Sequence, residues 1–74
     1  MKTFLKVIFN SEGTKPSEVV GTLRSLGYSL INGEQDMVYD WPDSATADDA
    51  IWFADKIQAT LQGFNVYFEL ETLD

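Results

Sequence analysis

Apolar and polar residues recur along this chain with two different periods, and the changes of period mark out its elements. Residues Thr3 to Phe9 combine β-branched and aromatic types with short apolar alternation. The turn formers Asn10, Ser11, Glu12 and Gly13 follow, which predicts a first strand ending there. Pro16 suits the first position of a helix, with Thr14 or Lys15 before it as cap. Val19, Leu23 and Leu26 then recur at helical spacing until Gly27 can adopt the left-handed stop.

Two apolar runs, Tyr28 to Ile31 and Gln35 to Trp41, flank Asn32-Gly33-Glu34, and an Asn-Gly pair between such runs signals a hairpin. A two-residue turn would set Tyr28 opposite Met37 and Leu30 opposite Gln35. Because residues paired across a ladder share a face, Tyr28, Leu30, Met37, Tyr39 and Trp41 should then lie on one side. Ser29, Ile31, Glu34, Asp36, Val38 and Asp40 should lie on the other.

Pro42 closes the third strand, and Asp43, Ser44 and Thr46 offer caps for a second helix. Thr46 with Asp49 three residues on approximates a capping box with a shortened acid. Ala50, Phe53, Ala54, Ile57 and Leu61 form one helical stripe, which stops at Gln62-Gly63. Val66, Phe68 and Leu70 then alternate with Tyr67, Glu69 and Glu71, the pattern of a half-buried last strand. The expected architecture is therefore a single α+β domain over 1–74 with ferredoxin-like βαββαβ topology. It has a four-stranded antiparallel sheet and two helices packed on one face.

Charge changes the picture of what such a domain meets. Twelve acidic residues against five basic ones give a net charge of −7, which repels phosphate backbones and anionic lipid, so neither nucleic acid nor membrane is expected as a direct partner. The chain has no cysteine and no histidine, which removes disulfides, thiolate metal sites and the usual acid-base and thiol chemistry. The serines have no evident base beside them, and Asn10 to Pro16 lacks the spacing of a phosphate loop. No catalytic residue, cofactor or metal is assigned, and a cytoplasmic monomer or homodimer is the expectation. Asp40, Asp43, Asp48 and Asp49 gather in sequence around the start of the second helix, where the helix dipole already accounts for acids.

With the helices on one side, the other face of the sheet should display Phe4, Lys6 and Ile8, then Asp36, Val38 and Asp40, then Tyr67, Glu69 and Glu71. Apolar side chains would run across a field of acids. RNA-binding domains use this face with the opposite charge and a basic aromatic motif, which is absent here. Trp52 falls far from the buried stripe of its helix, among Asp48, Asp55 and Lys56, and should be exposed, either as an interface anchor or lying over the Lys56 stem. Gly21 is a further oddity inside the first helix.

The stretch from Val7 to Leu30, with its strand, its loop bearing Gly13 and Pro16 and its helix ending in Leu26-Gly27-Tyr28, resembles the first half of ACT-type regulatory domains. That resemblance implies amino-acid binding between paired subunits. The Asp-x-x-Gly ligand loop of the family is absent, so no ligand residue is carried over. The residues themselves point first to a non-catalytic acidic regulatory domain that binds a protein partner, favourably a basic one, through Phe4, Ile8, Asp36, Val38, Asp40, Tyr67 and Glu69, through Trp52 with Asp48 and Asp55, or through both. The alternatives are a charge mimic of nucleic acid, of the phage antidefence kind, that inhibits a DNA- or RNA-binding protein, and an ACT-like small-ligand sensor.

Overall fold

The computed structural model describes residues 1–31 and 36–74. Its elements are β1 (Lys2–Ile8), α1 (Pro16–Ser25), β2 (Ser29–Leu30), β3 (Met37–Asp40), α2 (Ala47–Leu61) and β4 (Tyr67–Leu73). The strands form one sheet in the order β2-β3-β1-β4, with every neighbouring pair antiparallel. The domain is thus α+β, and its elements fall within a few residues of those the periodicity predicts.

Local chemistry accounts for the helix ends. Lys15 caps α1 without a side-chain hydrogen bond, so that helix starts on the preset φ of Pro16. It stops at Gly27, whose φ of +106° a side chain would strain, with Gly27 N–H donating to Arg24 O and Tyr28 N–H to Leu23 O. α2 begins on a true capping box: Asp49 N–H donates to Thr46 Oγ1 at 3.3 Å, and Thr46 N–H donates to Asp49 Oδ2 at 2.8 Å. Aspartate therefore closes the box as well as the longer glutamate would.

One hydrophobic cluster holds these elements together. Leu5, Val19, Leu23 and Ile57 are fully enclosed, joined by Val7, Tyr28, Met37, Phe53 and Leu61. Each such side chain contributes about 1.5–3 kcal/mol by leaving water. Along β1 the odd residues Thr3, Leu5 and Val7 are buried, whereas Lys2, Lys6 and Ile8 are exposed and Phe4 is half-buried. Thr3 is the single polar side chain in the core of the described residues, and it is fully bonded. It receives the Trp41 indole N–H at 2.7 Å and shares a hydroxyl hydrogen bond of 2.8 Å with Thr72.

The hairpin corrects one expectation. Leu30 pairs with Met37 and Ser29 with Val38, two residues away from the pairing of Tyr28 with Met37 that a two-residue turn requires. Asp36 is the physical reason: its N–H donates to Leu5 O at 3.0 Å and its carboxylate accepts from Val7 N–H at 2.8 Å. These bonds tie Asp36 to β1, and Ile31 N–H closes on Asp36 O at 3.0 Å. An even displacement keeps the paired residues Ser29, Leu30, Met37 and Val38 on their expected faces. The Asn32-Gly33 turn itself lies outside the described residues.

Candidate interaction surface

The face of β1 turned away from the core assembles most of the residues singled out by the sequence. Across the ladders Phe4 stands opposite Val38 on one side and Glu71 on the other, Lys6 opposite Glu69, Ile8 opposite Tyr67, and Lys2 opposite Asp40. Ile8 and Tyr67 are 50% and 66% exposed, so their pairing makes an apolar spot that water reaches freely. Phe4 and Val38 are half-buried beside each other.

Charge on this face is a mosaic. The Lys2 ammonium lies 3.7 Å from the Asp40 carboxylate, the only ion pair among the described residues, and as an exposed pair it adds at most about 1 kcal/mol. The lysines of the central strand thus interrupt the field of acids expected there. Asp36 contributes differently from its neighbours, since its carboxylate is held by the Val7 peptide within the sheet. It works first as a brace for the start of β3.

On α2, Trp52 is 62% exposed, as its distance from the stripe requires, and Lys56 Nζ lies 5.1 Å from the ring centroid. Both readings of this residue meet in that geometry: the ring is open to a partner and also rests under its own cation. Asp48 and Asp55 are exposed on the same helix. Ile51, which the stripe analysis passed over, is 63% exposed. The available signal was its spacing from Ala47 and Ala54, which puts the three on one flank.

That flank borders an open groove of about 550 Å³ between α2 and β4. Ala47, Ala50, Ile51 and Ala54 line it from the helix, and Leu70 and Leu73 from the strand. The small alanines create it, because a stripe that counts them as core supplies too little side chain to cover β4.

Other candidates disperse. Asp49 is engaged in the capping box and Asp40 with Lys2, and no three acids among the described residues gather as a metal site would require. The loop brought forward by the ACT resemblance is committed to packing: Thr14 N–H donates to Phe64 O at 2.9 Å, and a Cβ on Gly13 would meet Asn65 O at 2.5 Å. Gly21 faces open space. Tyr28 carries a buried hydroxyl with no partner among the described residues, and burial, with Tyr39 beside it, pushes its pKa from 10.0 up to about 12. No helix among the described residues is long and apolar enough to cross a membrane. Comparison with protein-family models, with curated proteins and with solved structures finds no match.

Proposed function

We propose that this chain is a non-catalytic protein-interaction domain of ferredoxin-like plan, regulating a partner that it meets on apolar side chains set among carboxylates. The topology is supported by the strand order, which reads β4-β1-β3-β2 from the other edge, and by the shared core of both helices. The observation that carries the functional reading is the cross-strand pair of Ile8 and Tyr67, both at least half exposed, in line with Phe4 and Val38. Glu69, Glu71 and Asp40 rim this track, the arrangement of an apolar centre with a polar edge that protein interfaces use. Lysines interleaved with those acids favour a protein surface over the uniform anionic strip of a nucleic-acid mimic.

Bound proteins should be captured with the intact chain from its native extract, and the isolated partner then titrated against variants. Replacing Ile8 and Tyr67 by Ala, or Trp52 by Ala, should weaken binding at least about tenfold, the scale of an interface anchor, with melting nearly unchanged. A partner that binds both variants as tightly as the parent chain would overturn the reading.

A further inference from the structure

β4 is a seven-residue strand at the edge of the sheet, paired on one side only. The direction of its free peptide groups follows from the ladder. Trp41 N–H donates to Met1 O, and Val7 N–H reaches Asp36 on the β3 side, so the odd residues of β1 spend their peptides on β3. The even residues of β1 therefore bond β4, where their partners are Tyr67, Glu69, Glu71 and Leu73. Phe68, Leu70 and Thr72 are left with N–H and C=O groups facing outward.

A strand added here would meet two different environments on its two faces. Residues opposite Phe68, Leu70 and Thr72 would share their side of the sheet, where Leu70 borders the groove lined by Ala47, Ala50, Ile51 and Ala54. Residues opposite Glu69 and Glu71 would fall on the other side, facing two exposed carboxylates that form no ion pair among the described residues. A second copy fits poorly in the registers that keep most of the strand paired. Antiparallel self-pairing about Leu70 puts Glu69 against Glu71 of the other copy, and centring on Glu69 or Glu71 puts that residue against itself.

We propose that β4 accepts an extended segment of a partner protein in which basic and apolar residues alternate, added antiparallel to its free edge. The apolar side chains enter the groove between α2 and β4, and the basic ones face Glu69 and Glu71. This rests on the interaction-domain reading and names the partner's chemistry; its binding groups are distinct from Trp52 and Ile8.

The probe is a synthetic peptide of about ten residues, near the upper length of a strand, alternating lysine and valine. Two controls accompany it: one with glutamate for lysine, one with the same residues in an order that breaks the alternation. Titrated into the isotopically labelled full chain, the alternating basic peptide should bind saturably and protect the amides of Phe68, Leu70 and Thr72 from exchange. Binding should fall about tenfold or more when Glu69 and Glu71 are both replaced by Lys, the scale of lost rim charge complementarity. It should also fall in Ala54→Leu, which fills the groove, and persist in Trp52→Ala. Equal binding of either control peptide, absence of protection at those amides, or a wild-type chain found by sedimentation to dimerise through β4 would each overturn the proposal. Shifts confined to Trp52, or to Ile8 and Tyr67, would overturn it while leaving the interaction-domain reading standing.

Discussion

The two flanks of this sheet are finished in opposite ways. Beneath β2 and β3, Tyr28, Tyr39, Trp41 and Phe53 form an aromatic cluster with ring centroids 4.6 to 5.9 Å apart, and the edge strand above is only two residues long. Beside β4 the helix offers alanines and the edge runs for seven residues. Natural sheets protect an edge by shortness or by charge. This one uses shortness on the first flank and the carboxylates of Glu69 and Glu71 on the second. A charged guard can be answered by a matching partner, whereas a short edge has little to offer, so the difference assigns stability to one flank and availability to the other.

The largest test of that division is Phe53→Ala, which removes the ring that touches Tyr28, Tyr39 and Trp41. Denaturant titration should show a loss of about 3–5 kcal/mol, enough to leave so small a domain largely unfolded. Gly27→Ala comes next. A methyl group there meets Tyr39 at 2.7 Å and forces a side chain into a positive φ, so a loss of about 1–2 kcal/mol is expected from backbone strain alone. A loss comparable with that of Phe53→Ala from filling the β4 groove with Ala54→Leu would refute the contrast, because the groove is open space.

The smallest effect belongs to Tyr28→Phe. Removing a buried hydroxyl that has no partner among the described residues should leave stability unchanged or raise it by up to about 1 kcal/mol near neutral pH. Its alkaline behaviour gives a second readout. The unfolded chain releases this proton near the ordinary 10.0 and the folded one near about 12, so across that window the folded state holds more protons and stability falls as pH rises. Melting curves should show the gap between the parent chain and the more stable Tyr28→Phe widening as pH rises over that range. A constant difference would mean that water or a donor stabilises the phenolate in the folded chain, so that folding does not raise its pKa.

Sequence patterning made the elements and their faces legible because burial enforces period. β1 shows it most plainly, with Thr3, Leu5 and Val7 in and Lys2, Lys6 and Ile8 out. The hairpin register was less legible, because its pairing answers to bonds between Asp36 and β1, which are distant in sequence. Since the displacement is even, the paired residues Ser29, Leu30, Met37 and Val38 keep their faces. The hydrogen bonds joining Trp41, Thr3 and Thr72 connect residues up to 69 positions apart, beyond any local signal. The groove was hidden for a different reason: periodicity records that alanine is apolar but not how little space it fills. Of the candidate surface, Trp52, Ile8 and Tyr67 emerge as exposed as their positions imply, whereas Asp36 turns out to brace the backbone.

The two tryptophans occupy contrasting surroundings, Trp41 half-enclosed with its indole N–H bonded to Thr3 and Trp52 largely in water. The domain thereby carries two intrinsic fluorophores with separate assignments. A neutral quencher such as acrylamide should darken Trp52 first, and emission from Trp41 should redden only as the strands come apart. One optical recording can therefore distinguish an event on the outer side of α2 from loss of the fold.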